Sequence, residues 1–367
     1  MRVGVPKEIK EQEHRIAVLP SVVYLLTKLG HRVFVERGAG DGAGFPDSEY
    51  EHAGAIMSSS HAEIFDQGEL IVKVKEPLPS EYELLRRGQI LFTYLHLAAS
   101  KSLTEVLMNS GVTAIAYETV EINRRLPLLE PMSEIAGRMS LIVGGYFLAK
   151  HSGGTGVLLG GVPGILPGNV VVIGGGTSGV NAARMATGLG ANVTILEVDF
   201  ERMRFLDITM HTAHTLYSSE AHLLEMLPRT DLLIGAVLVP GARAPRLITR
   251  SMLRLMKPGS VLVDIAIDQG GCCETSRPTT HHDPVYVEEG ITHYCVANMP
   301  GAYARTSTQA LTNVTSRFVE FLAEGGVEGA IQKEPRLATG INVMDGSVRN
   351  KAVAEAHNLP FKELAKA

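Results

Sequence analysis

The β-branched run Asn169-Val-Val-Val-Ile173 feeds directly into Gly174-Gly-Gly176-Thr-Ser-Gly179, and few architectures accept that junction. An Ala-rich stretch of helical character follows, and then a second apolar run, Asn192-Val-Thr-Ile-Leu-Glu197. Gly174, Gly176 and Gly179 hold the G-x-G-x-x-G spacing between a strand and a helix. The first glycine permits the tight turn, the second lets a pyrophosphate approach the backbone, and the third lets helix and strand pack closely. The helix N-terminus adds free N–H groups and the positive end of its dipole. Glu197 closes the next strand eighteen residues past Gly179, where an acid bonds the adenosine ribose hydroxyls. The spacing therefore predicts a dinucleotide site. A carboxylate at 197 repels a 2′-phosphate, which favours NAD over NADP, although Arg202 and Arg204 lie close behind it.

A chain of 367 residues is long enough for two domains with full cores. Its net charge of −5 gives no basic footprint for nucleic acid, and no apolar stretch is long enough to span a membrane. The first residues, Met1-Arg-Val-Gly-Val-Pro-Lys-Glu8, lack the apolar region of a signal peptide, so a cytoplasmic protein is expected. Cys272, Cys273 and Cys295 are odd in number and lack metal-ligand spacing, which predicts reduced thiols.

A βαβ pattern over residues 2–36 points to a separate parallel sheet in the first domain. Gly38-Ala-Gly40-Asp-Gly42-Ala-Gly44 imitates a phosphate loop, but Pro46 follows where a helix would begin, so a turn is expected. Apolar strands are expected near 69–75, 89–96 and 113–119; a proline-punctuated link over 126–134 is followed by a long helix to about Lys150 that connects the domains. Near-continuous apolar runs at 231–239, 259–268 and 291–298 read as strands of the second sheet. A late helix from Thr306 to Glu324 returns the chain to the first domain. The expected fold is α/β, with two doubly wound Rossmann-like domains and a cleft between them. One domain is discontinuous, residues 1–130 plus 305–367, and carries the substrate groups; the other, 131–304, binds the nucleotide.

Four polar residues are out of place on apolar strands or beside them. Lys75, His96 and Asp268 are expected to end strands, and Arg15 lies in the charged loop after the first strand. Arginine suits bidentate carboxylate binding, and histidine exchanges protons near neutral pH. Each also has an ordinary reading, since lone cations are usually solvated and an Asp after a strand is often a helix cap. Spacing alone thus predicts an NAD-linked enzyme acting on a small anionic substrate, with no reaction assigned.

Several longer stretches go further. Met1-Arg-Val-Gly-Val-Pro-Lys-Glu-Ile-Lys with His14-Arg15, Lys73-Val-Lys75-Glu-Pro77, Tyr94-Leu-His96, Pro131-Met-Ser133-Glu, Val263-Asp-Ile-Ala-Ile-Asp268-Gln-Gly-Gly271 and Cys295-Val-Ala-Asn298-Met-Pro resemble the bacterial alanine dehydrogenases, in order and at that family's spacing. The resemblance implies reversible NAD-dependent deamination of L-alanine to pyruvate and ammonium. It implies that Arg15 and Lys75 hold the substrate, that His96 is the acid/base, that Asp268 assists from the cofactor side, and that Asn298 lines the site. It also implies cofactor contacts at Ser133, Thr177, Ser178, Arg202, Ser218, Val237, Leu238, Ile265, Asp268, Arg277 and Asn298. The ribose acid is usually Asp in that family and is Glu197 here. A divalent-cation site of some members would fall on Phe321 and Gly325, so no metal is expected. A homohexamer is implied as well. Two other readings stay open: a partner-dependent nucleotide-binding module similar to that of the proton-translocating transhydrogenases, and a related dehydrogenase forming lysine from saccharopine.

Overall fold

A computed structural model describes residues 1–237 and 244–364. In chain order its strands are β1 (Arg2–Val5), β2 (Arg32–Glu36), β3 (Ile56–Ser58), β4 (Leu70–Val72), β5 (Ile90–Thr93), β6 (Thr113–Ala116), β7 (Asn169–Ile173), β8 (Asn192–Glu197), β9 (Ala213–Tyr217), β10 (Leu232–Gly235), β11 (Val261–Asp264), β12 (Val285–Glu288), β13 (Ile291–Tyr294), β14 (Ile341–Met344) and β15 (Ser347–Val348). Two compact units emerge: Met1–Met132 with Gly301–Ala367, and Ser133–Pro300.

The first unit holds an eight-stranded sheet in the order β15-β14-β6-β5-β4-β1-β2-β3. Strands β1 to β6 are parallel, and β14 joins β6 antiparallel. The second unit holds seven strands in the order β12-β13-β11-β10-β7-β8-β9, parallel except for β12. Stripped of the antiparallel additions, each unit has its first six strands in the doubly wound order 3-2-1-4-5-6. In both, the chain starts mid-sheet, winds outward on one side, then restarts beside its first strand. The switch points are β1/β4 in the first unit and β7/β10 in the second. Parallel pairing brings all the carboxyl ends to one edge of each sheet, where ligands bind in such folds.

The sequence forms these sheets because their central strands are apolar on both faces. Leu70, Ile71 and Val72 of β4, and Leu232, Leu233 and Ile234 of β10, are fully buried. Full burial of such a side chain contributes about 1.5–3 kcal/mol. Helices cover both faces, as parallel sheets require. The late helix runs Ala304–Lys333, nine residues beyond its expected end, with a break from helical geometry at Gly326 (φ 61°). The imitation phosphate loop is a short 3-10 turn, Asp41–Ala43, ended by left-handed Gly44. All three cysteines are free and buried.

Candidate functional site

In the second unit, each motif glycine sits where its substitution would be felt differently. Gly174 has φ +96°, and an added Cβ would lie 2.7 Å from the Ala236 carbonyl oxygen. At Gly179 the Cβ would lie 1.8 Å from the Gly174 oxygen, so helix and turn touch backbone to backbone. At Gly176 nothing lies within 4 Å, so the backbone there is open. Gly176 is also the N-cap of the Thr177–Gly188 helix and makes no side-chain cap bond. The Thr177 and Ser178 amides have no intrahelical partner, as in any first turn. A strained first position, an open second and a tight third are the three requirements of a pyrophosphate turn. These residues fit a dinucleotide.

Glu197 at the end of β8 holds this turn from below. One carboxylate oxygen accepts from Gly175 N–H at 2.7 Å, and the other accepts from Val198 N–H at 2.7 Å and Asp199 N–H at 3.0 Å. Arg202 Nε donates to the Gly175 carbonyl at 2.6 Å, so both ends of that residue are fixed. The longer side chain of Glu, compared with Asp, reaches back under the glycine turn. A carboxylate carries about four acceptor positions, so a ribose hydroxyl still has one available.

The other expected cofactor positions follow the carboxyl ends of the same sheet. Ser218 follows β9 and donates its N–H to the Glu197 carbonyl at 2.8 Å. Val237 follows β10 and is half-buried; Leu238 lies outside the described residues. Ile265 and Asp268 lie in a 3-10 turn, Ile265–Gln269, after β11. Asn298, after β13, is left-handed (φ 65°), and its carbonyl accepts from His281. Arg277 is exposed, with its guanidinium 3.9 Å from the Tyr286 ring centre. Ser133 is half-buried in the Glu130–Phe147 helix.

Asp268 does not end a strand. The strand stops at Asp264, whose buried carboxylate accepts from Ala266 N–H at 3.1 Å, Cys272 N–H at 2.9 Å and Ser276 Oγ–H at 2.6 Å. Burial pushes the Asp264 carboxyl up despite these bonds. Asp264 thus has the capping role, and it leaves Asp268 exposed four residues on.

In the first unit the candidate residues follow β1, β4 and β5, which flank the switch point. Arg15, 2% exposed, makes a two-pronged pair with buried Glu13: Nε to Oε1 at 2.7 Å and Nη2 to Oε2 at 2.5 Å. Its Nη1 lies 3.1 Å from Met132 Sδ. Lys75 is 6% exposed, three residues past β4. The chain keeps to the sheet there, since Lys73 N–H bonds the Phe92 carbonyl and Tyr94 N–H bonds that of Val74.

His96 lies three residues past β5, not at its end. Glu118 takes the Leu95 and His96 N–H groups (2.7 Å for His96), replacing the strand ladder with a side-chain acceptor. His96 consequently adopts a left-handed conformation (φ 50°), rare for a non-glycine residue and concentrated at functional sites. Its ring stacks on Tyr94 with centroids 6.0 Å apart and planes 7° from parallel. Tyr94 also feels the Arg15 charge. Burial would raise the Glu76 carboxyl, but Lys75, Lys10 and His96 together bring it below its usual range. Arg15, Lys75 and His96 thus follow three neighbouring strands to one sheet edge, within electrostatic reach of Tyr94 or Glu76.

Sequence reasoning missed the carboxylates that build this cluster: Glu13 on Arg15, Glu118 on the His96 backbone, and Glu8 behind Lys75. The available signal was their setting, a carboxylate two residues from Arg15 and one directly after Tyr117. At the place expected to lack a metal, the Phe321 ring lies 5.1 Å from Lys333 Nζ.

Two family descriptions cover nearly the whole chain: "Alanine dehydrogenase/PNT, N-terminal domain" over residues 4–136, and "Alanine dehydrogenase/PNT, C-terminal domain" over 140–351. An alanine dehydrogenase of Halomonas elongata is 55% identical over 367 residues, covering 100% of this chain and 99% of the relative. A solved L-alanine dehydrogenase superposes with a TM-score of 0.92 at 51% identity, over 98% of this chain and 99% of its own. A transhydrogenase structure from Sinorhizobium meliloti matches at TM-score 0.81 and 26% identity, over 95% and 100%. The chain belongs to the alanine dehydrogenase/PNT family.

Proposed function

We propose that this protein is an L-alanine dehydrogenase, catalysing reversible NAD-dependent conversion of L-alanine to pyruvate and ammonium. The observation that carries the reading is the Arg15–Lys75–His96 cluster at the carboxyl edge of the first sheet. A module that only bound nucleotide would need no such buried cations beside a strained histidine. The first unit is the substrate domain and the second the NAD domain. Gly174, Gly176, Thr177, Ser178, Gly179 and Glu197 would hold the dinucleotide, with Ser133, Arg202, Ser218, Val237, Leu238, Ile265, Asp268, Arg277 and Asn298 as further contacts. NAD supplies the hydride acceptor for the substrate carbon.

Arg15 and Lys75 bind the substrate carboxylate, Arg15 pre-set by Glu13 so that little rotamer freedom is lost on binding. His96 takes a proton from the water that adds to the substrate iminium, and returns it as ammonia leaves. Asp268 stabilises the cationic substrate carbon and orients that water, while Asn298 lines the site. Deamination requires the neutral amine before hydride loss, so it is favoured at high pH.

A homohexameric, cytoplasmic enzyme of alanine catabolism completes the reading. Three free, buried thiols suit a reducing compartment, and no helix among the described residues is long and apolar enough to cross a membrane. The test is L-alanine-dependent NAD reduction at 340 nm by the purified chain alone. Turnover without a second protein supports the dehydrogenase; turnover only with a hydride-accepting partner overturns it in favour of a transhydrogenase-like module. Faster turnover of saccharopine than of alanine would overturn the substrate assignment.

A further inference from the structure

The segment Lys73-Val-Lys75 carries two buried lysines whose surroundings differ. Lys73 is fully buried between two carboxylates, 3.3 Å from Glu8 Oε2 and 2.7 Å from Glu81 Oε1. Burial would lower its ammonium, but Glu8 and Glu81 together hold it above its usual value. Its charge is therefore used inside the fold.

The second oxygen of Glu8 does something else. Glu8 Oε1 accepts from Val74 N–H at 2.6 Å and from Lys75 N–H at 3.2 Å. At the other end of the same residue, Thr93 Oγ1 donates to the Lys75 carbonyl at 2.9 Å. Side chains from two different segments, Glu8 after β1 and Thr93 on β5, thus fix both backbone ends of Lys75. Glu8 follows β1 and Lys75 follows β4, so this carboxylate also ties together the two strand ends at the switch point. Its Oε1 takes the two N–H groups, while its Oε2 is neutralised by Lys73.

We infer that Glu8, with Thr93, is a positioning residue that sets the Lys75 ammonium for the substrate carboxylate, and that Lys73 serves as the buried counter-charge of Glu8. The inference rests on the assignment of Lys75 to substrate binding. A ligand group on a flexible stem gains precision only from a fixed backbone, so loosening that backbone weakens substrate binding before it touches cofactor binding.

Removing Glu8 alone would take one of the two carboxylates from the buried Lys73 and leave it Glu81, so the pair is replaced together. Glu8→Leu with Lys73→Met deletes the acceptor; Glu8→Gln with Lys73→Met restores an acceptor oxygen of the same reach. Each is assayed in the reductive direction against Thr93→Val and Lys75→Met. The expected result is a pyruvate KM raised about tenfold in Glu8→Leu/Lys73→Met, equivalent to one lost hydrogen bond to a charged group. The NADH KM stays within about twofold, and the glutamine version recovers most of the loss. Thr93→Val, which keeps every charge, raises the pyruvate KM in the same selective way. Should the leucine double variant not fold, the Thr93→Val result decides. A raised pyruvate KM in Lys75→Met with wild-type values in Thr93→Val and the leucine variant overturns the inference alone. A wild-type KM in Lys75→Met overturns the substrate assignment and the inference with it.

Discussion

Gly176 and Gly179 are both glycines of one motif, yet the structure gives their alanine variants opposite outcomes. At Gly179 a new methyl would stand 1.8 Å from the Gly174 carbonyl oxygen and 3.0 Å from its carbon. That is more than an ångström inside normal contact, and the obstruction is backbone, which no side-chain rotation relieves. The helix must back away from the turn, an overpacking cost of about 3 kcal/mol or more. Gly179→Ala should therefore lower the melting temperature and also weaken NAD binding at least about a hundredfold, because the pyrophosphate turn and the helix N-terminus part company. At Gly176 the methyl meets nothing within 4 Å, and φ is −69°, which alanine adopts freely. Gly176→Ala should melt within about 1 kcal/mol of wild type, since the N-cap preference for glycine over alanine is offset by the smaller conformational freedom of alanine in the unfolded chain. Its methyl nevertheless stands where the dinucleotide would approach, so affinity should fall about tenfold or more. The assay is thermal melting with and without NAD, paired with NAD titration by calorimetry. Wild-type NAD affinity in Gly176→Ala, or an unchanged melting temperature in Gly179→Ala, would refute the assignment of the turn.

Three further outcomes follow from named contacts. His61 bonds Glu36 at 2.7 Å and Glu81 at 3.1 Å, and these two bonds raise its pKa to about 9. A folded value above the unfolded one means stabilisation that is complete below about pH 6.5 and is lost as pH rises through 9. Urea midpoints should show wild type more stable than His61→Gln by up to about 3 kcal/mol at pH 6, with the gap closing by pH 10. Cys272, Cys273 and Cys295 are all fully buried and burial raises each thiol, Cys295 to about 11, so a thiol reagent at pH 8 should label none in the native protein and all three in urea. Glu197→Ala removes the acceptor from Gly175, Val198 and Asp199 together; NAD affinity should drop while that for NADP does not, measured as the ratio of the two KM values.

The sequence announced the elements whose physics is local. The glycine turn was legible because φ > 0 and close packing leave few alternatives to glycine, and the buried strands because a parallel sheet demands apolar residues on both faces. Strand order could not be read residue by residue, since pairing partners lie far apart in the chain. The left-handed backbones of His96 and Asn298 were invisible too, because neither residue announces φ > 0 as glycine does. Glu8, Glu13 and Asp264 were overlooked for a different reason. A carboxylate in a charged or turn-forming stretch ordinarily faces water, and only the fold shows these three buried on backbone N–H groups or on Arg15. Asp268 illustrates the same limit: the apolar run was visible, but not that Asp264 would end it.

In the proposed enzyme the second unit binds the cofactor while the first carries the reaction, through His96 above all. The most direct measurement is alanine deamination and pyruvate amination by His96→Ala, alongside its NADH affinity. Turnover should fall at least about a hundredfold in both directions, as expected for a proton-transfer group, with NADH affinity at the wild-type value. Turnover within tenfold of wild type, or NADH binding lost along with activity, would contradict it.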